Sequence, residues 1–165
     1  MTNNKSNSKK IMLAAVAFLI MLAAVYIVFP KGADNNESNE IKAVKDDDIV
    51  IPISSVTKQA AFYPAVINGT KLEVIAVKAS DGSIRTAFNT CQVCYGSGRG
   101  YYEQEGDELI CQNCGNRFGM EDVEVTKGGC NPFPITEEYK TVDSENITIS
   151  KDFLTQATVI FQNWK

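Results

Sequence analysis

Cys91-Gln92-Val93-Cys94, sixteen further residues, Cys111-Gln112-Asn113-Cys114, and fifteen more before Cys130, which sits within Gly128-Gly129-Cys130-Asn131-Pro132: this stretch carries all five cysteines of the chain. Two C-x-x-C pairs at that separation have the spacing of a four-thiolate metal site, in which each pair supplies two sulfurs from one tight loop. Such a loop brings both thiolates to one side of the backbone and turns amide N–H groups toward them. Gly96 and Gly115, just past the two pairs, are expected to let each knuckle close without a Cβ clash. Cys91, Cys94, Cys111 and Cys114 are therefore the predicted ligands. Cys130 is a fifth thiol, with four readings: an additional ligand, a substitute for one of the four, a redox thiol beside the metal, or a small buried residue. The two glycines before it suit a loop shaped for close approach.

On the N-terminal side of this stretch the pattern is β-rich. Ile49-Val50-Ile51-Pro52-Ile53 reads as a short strand with Pro52 at an edge or end. Residues 62–67 and 71–78 are β-favouring runs separated by Asn68-Gly69, a hairpin signal. Leu72, Val74 and Ala76 alternate with polar residues, while Ile75 and Val77 break the alternation, so both faces of this strand are expected to be partly buried. A second turn at Ser80-Asp81-Gly82-Ser83 leads into 84–88, and this three-strand meander delivers the chain to Cys91. Between the pairs, Tyr101-Tyr102 and Glu108-Leu109-Ile110 can pair across Glu105-Gly106-Asp107. The result is two knuckles joined by a hairpin, the layout of a zinc ribbon or a rubredoxin-type iron site. Phe118 and Met120 are expected to pack near it. Pro132 and Pro134 hold the chain extended beyond Cys130, and Ile147-Thr148-Ile149 reads as another strand. Ser150 is a predicted N-cap for a last helix, with Asp152 in its first turn and apolar residues at helical spacing through Phe161. The fold class is mainly β with some α, a small β-rich domain ending in a helix.

The N-terminus has a different character. Residues 1–10 are polar with three lysines, and 11–29 carry no charge. At 1.5 Å per residue that apolar run spans about 28 Å, close to the roughly 30 Å hydrocarbon core of a bilayer. A cleaved signal peptide is the competing reading, but the run is longer than the usual apolar core of one and closes on bulky residues, which favours a retained transmembrane helix. Lysines before it and acids after it place 1–10 in the cytoplasm and the remainder outside the cell membrane, as a single-pass protein. Residues 30–48, rich in Asp, Glu and Asn, read as a solvated linker. The predicted organisation is tail (1–10), anchor (11–29), linker (30–48) and an extracytoplasmic Cys-rich domain (49–165).

Composition removes several functions. The chain has 165 residues, no histidine and a formal charge of −4. Without histidine there is no Ser-His-Asp or Cys-His catalytic set and no haem attached through C-x-x-C-H. No basic cluster in the folded part points to nucleic acid. No acid/base set suggests a small-molecule substrate. Four thiolates suit zinc, mononuclear iron or an iron-sulfur cluster alike. Three functions follow: a redox or metal-handling centre, a structural zinc-ribbon interaction module, and a thiol/disulfide oxidoreductase.

In combination, Ala87-Phe88-Asn89-Thr90-Cys91-Gln92-Val93-Cys94-Tyr95, Gly100-Tyr101, Gln104-Glu105-Gly106-Asp107, Cys111-Gln112-Asn113-Cys114-Gly115 with Phe118, and Gly128-Gly129-Cys130-Asn131-Pro132 resemble the FtrD-like membrane iron-sulfur proteins. The resemblance covers residues 49–165. It implies a membrane-attached extracytoplasmic module that binds iron or an iron-sulfur cluster and works beside an iron permease or an ABC-type transporter component.

Overall fold

The computed structural model describes residues 41–165. The expected tail, the anchor at 11–29 and the linker up to residue 40 lie outside the described residues. Among the described residues no helix is long and apolar enough to cross a membrane.

Strands β3 (Ala61–Ile67) and β4 (Thr70–Lys78) form the hairpin signalled by Asn68-Gly69. Both turn residues have positive φ, 49° and 80°, the mirror-image turn whose twist matches that of the flanking strands. β5 (Ile84–Cys91) pairs with β4 and runs on past Phe88 to end at Cys91 itself. With β1 (Val44–Lys45) and β9 (Pro132–Pro134) these strands make a five-stranded sheet in the order β1-β3-β4-β5-β9. The prolines of β9 sit on an edge strand, where a missing N–H breaks no ladder. A register shift between Phe88 and Cys91 opposite β9 re-aims the end of β5.

Two smaller sheets cover the two faces of this one. β2 (Ile49–Pro52), β10 (Thr141–Val142) and β11 (Asn146–Ile149) form the first, in the order β10-β11-β2. β6 (Tyr102–Glu105) and β7 (Glu108–Cys111) form the expected hairpin, and β8 (Arg117–Gly119), a strand not expected from the sequence, completes the second. Helix α1 (Lys151–Ala157) starts where Ser150 Oγ accepts the Phe153 N–H at 3.3 Å. The helical spacing read through Phe161 is realised as this short helix followed by a tighter 3₁₀ turn, Thr158–Phe161.

β4 is buried on both faces, as its broken alternation implies. Leu72, Val74 and Ala76 join Ile49, Ile51, Ile147, Ile149, Leu154 and Phe161 in one core. Ile75 and Val77 join Ala87, Tyr102, Leu109, Phe118 and Met120 in another, and that second core includes Cys91, Cys94 and Cys111. The cysteine region is thus built on the back of the sheet rather than appended to it.

Residues 41–48 belong to the folded unit, ahead of the expected start at 49. β1 adds in parallel to β3, Asp46 Oδ1 accepts the Asn68 N–H at 2.7 Å, and Asp48 Oδ1 accepts the Lys151 N–H at 2.7 Å. A run of acids signals solvation, but carboxylates also cap turns and helix starts, and those partners are distant in sequence.

The segment leading to Cys130 is anchored from below. Glu121 receives the Ser80 N–H at 3.0 Å, and its carbonyl receives the Arg85 guanidinium. Glu124, at φ 68°, accepts the Thr86 N–H at 2.8 Å and pairs with Lys140 at 2.6 Å. Both side chains are largely buried, 15% and 4% exposed, so removing one leaves the other uncompensated. Glu124→Ala is expected to lower unfolding free energy by about 3 kcal/mol in urea titrations. The charge-free double variant Glu124→Leu/Lys140→Met is expected to regain part of that loss.

Candidate metal centre

The first knuckle grows out of the end of β5. Cys91 is fully buried, and its sulfur accepts the Cys94 N–H at 3.3 Å. A 3₁₀ turn, Tyr95–Ser97, reverses the chain, with both the N–H and the hydroxyl of Ser97 donating to the Cys94 carbonyl. The chain then returns past the knuckle, and the Cys91 N–H donates to the Gly100 carbonyl at 2.6 Å. Gly100 is the glycine this knuckle requires, because a Cβ there would lie 2.6 Å from the Cys94 carbonyl oxygen. Gly96, expected to play that part, has open space around it and no positive φ. The signal for Gly100 is a close approach made only after the loop has folded back.

The second knuckle leaves the end of β7. The Gly115 N–H donates to the Cys111 carbonyl at 2.8 Å, and the Cys111 N–H donates to the Asn116 carbonyl at 2.9 Å. Gly115 has φ 72° and serves as expected. The knuckles are tied together through β6: the Gln112 N–H donates to the Tyr101 carbonyl at 2.8 Å, and Tyr102 pairs with Cys111. Asn89, buried on β5, accepts the Tyr102 N–H at 2.7 Å and donates to Glu73 at 2.6 Å. Asn89 lies in the run before the first cysteine pair and carries no local signal of this part; it is the residue that locks one knuckle's strand to the other's.

Cys130 arrives on a third loop whose position both knuckles define. From the first, the Gln92 N–H donates to the Asn131 carbonyl at 2.9 Å, and the Gln92 side chain holds the Gly128 N–H and the Pro132 carbonyl. From the second, Asn116 Nδ2 donates to the Cys130 carbonyl at 3.0 Å, which also receives the Tyr102 hydroxyl at 2.8 Å. Gly128 and Gly129 both have positive φ, 84° and 66°, which only glycine adopts freely. The Cys130 sulfur lies 3.9 Å from that of Cys94 and 3.4 Å from that of Cys114. All five cysteines therefore come together. Cys91, Cys94 and Cys111 are buried, Cys130 is half-buried and Cys114 is exposed, so the cluster opens to solvent on one side.

The thiols are not alike. Burial raises Cys91, but the Tyr102 hydroxyl, shared with the Cys130 carbonyl, and the Cys94 and Val93 amides outweigh it and hold the thiol below its ordinary value. Cys114 is held down to about 7, first by the Asn116 amide and then by the Cys130 thiol. Burial pushes Cys111 up to about 12 and raises Cys94. Cys130 is raised, chiefly by its hydrogen-bond contact with the Cys114 sulfur and then by burial. Each knuckle thus holds one thiol whose pKa is lowered from its ordinary value, Cys91 in the first and Cys114 in the second.

Sulfur-only donors that converge in this way suit zinc, iron or an iron-sulfur cluster. Neither C-x-x-C pair lies at the start of an α-helix, the setting of a thioredoxin-type dithiol. Fold and site together define a small, mainly β domain with a cluster of cysteines that could hold a metal ion. The FtrD-like model, described as membrane iron-sulfur containing protein, matches residues 56–161, more than half the chain. The chain belongs to this family of membrane iron-sulfur proteins. No curated protein and no solved structure matches it.

Gly100→Ala is expected to displace the Cys94 carbonyl and lower metal affinity at least about tenfold, since a Cβ in that space forces backbone movement of a ligand loop. Gly96→Ala should leave metal content unchanged. Competition with a chromogenic chelator measures both.

Proposed function

We propose that this protein is an extracytoplasmic redox carrier tethered to the cell membrane, its thiolate centre holding iron or an iron-sulfur cluster and passing electrons or handling iron beside an iron permease or ABC-type transporter component. The observation that carries this reading is the convergence of five sulfurs at one solvent-open edge of an otherwise buried cluster. Buried Cys91, Cys94 and Cys111 fix a centre in place, and exposed Cys114 leaves it within reach of a partner. Cys91, Cys94, Cys111 and Cys114 would be the ligands, with Cys130 joining them. The metal would supply one-electron chemistry; the chain supplies thiolates, the amides directed at Cys91 and Cys114, and a rigid frame. The apolar run at 11–29 supports an anchor with the domain outside.

Purification of the full chain without oxygen, followed by iron, acid-labile sulfide and visible absorbance measurements, tests the reading. Iron and labile sulfide with sulfur-to-iron absorption are expected. A colourless zinc-loaded protein would instead make the domain a structural zinc-ribbon module, and metal-free protein with cycling disulfides a thiol oxidoreductase. Cys111→Ser is expected to lose the metal and, with it, much of the domain's thermal stability, because structural metal binding of this kind is worth on the order of 10 kcal/mol.

A further inference from the structure

Five thiols exceed what one four-coordinate ion uses. Their arrangement accounts for the surplus. The sulfurs of Cys91, Cys94 and Cys130 all lie within 4.8 Å of one another, and so do those of Cys94, Cys111 and Cys114. Cys94 belongs to both groups. Two thiolates bound to one ion through bonds of about 2.3 Å stand about 3.8 Å apart in a tetrahedron and about 4.0 Å apart in a trigonal plane. The 3.9 Å between Cys94 and Cys130 meets that requirement without movement. Cys114 and Cys130, one from each group, are 3.4 Å apart, which keeps the two groups in one cluster.

Resting on the reading that these thiols bind metal, we propose that the centre is dinuclear. One thiophilic ion takes Cys91, Cys94 and Cys130, a second takes Cys94, Cys111 and Cys114, and the Cys94 sulfur bridges them. The class of ion is a divalent metal that favours sulfur, ferrous iron or a zinc-like ion, with one position on each left for an exogenous ligand such as inorganic sulfide. Charge favours two ions over one. Five thiolates with one divalent ion carry a net −3, and a second ion reduces this to −1. With three of the five sulfurs buried, the smaller residual charge has the lower desolvation cost. The hydrogen bonds that Gln92, Tyr102 and Asn116 direct at the Cys130 loop have the character of a ligand support rather than of packing around a spare residue.

The test uses the full chain, reduced, stripped of metal and reloaded with Cd(II), read by native mass spectrometry and cadmium NMR. Two ions per chain are expected, with two resonances coupled to each other through the shared sulfur. In Cys130→Ala the count should fall to one, with a single uncoupled resonance. One ion in the unaltered chain, or two in Cys130→Ala, overturns the proposal. The first of these needs no variant to fold. One ion leaves the metal-centre reading standing; an unaltered chain that binds no Cd(II) overturns both.

Discussion

A buried amide side chain holds the cysteine region in register. Asn89 reaches from β5 to the backbone of Tyr102 and is itself held by Glu73 on the neighbouring strand. Because β5 ends in Cys91 and Tyr102 pairs with Cys111, this contact sets the distance between the two strand ends from which the knuckles grow. Buried polar groups are costly when unpaired, so a fully partnered amide at this position admits one arrangement of the two sheets and penalises others. The Trp164 indole N–H, donating to the Asn89 carbonyl at 2.7 Å, ties the C-terminal turn to the same point.

From that joint the site is assembled by backbone more than by side chains. Each knuckle closes on its own amide hydrogen bonds, and the third loop is held by groups drawn from both. The sulfur positions are thus set by backbone hydrogen bonds of the fold. The centre is expected to be preorganised on its buried side and more adaptable at Cys114 and Cys130, where solvent reaches it. Such a gradient is what the proposed redox role would need of a centre that keeps its ion and is reached through one face.

The two cores divide the labour. One face of the large sheet packs against β2, β11 and α1, which provides ordinary hydrophobic stability, and the other packs against the cysteine-bearing sheet. Ile75 and Val77 lie on one side of β4 and Leu72 and Val74 on the other, so the same strand serves both. The paired Glu124 and Lys140 then fix the approach to Cys130 against β5.

Much of this was legible in the chain itself, because it is encoded locally. Asn68-Gly69 specifies a hairpin through the φ values only such residues take readily, Ser150 marks a helix start, and C-x-x-C spacing specifies a knuckle. The break in alternation at Ile75 and Val77 announces a strand buried on both faces. Strand β8, the inclusion of residues 41–48, and the exchange of Gly96 for Gly100 were not legible. Each depends on a partner that becomes adjacent only after folding. The same holds for Cys130. As a residue in a line it is one thiol after two glycines, open to several readings. Its place between Cys94 and Cys114 was decided by tertiary structure, since only the folded chain brings Gln92, Tyr102 and Asn116 to one loop. Local sequence determined which sulfurs could pair within a knuckle; long-range packing decided that the two knuckles and a third loop meet.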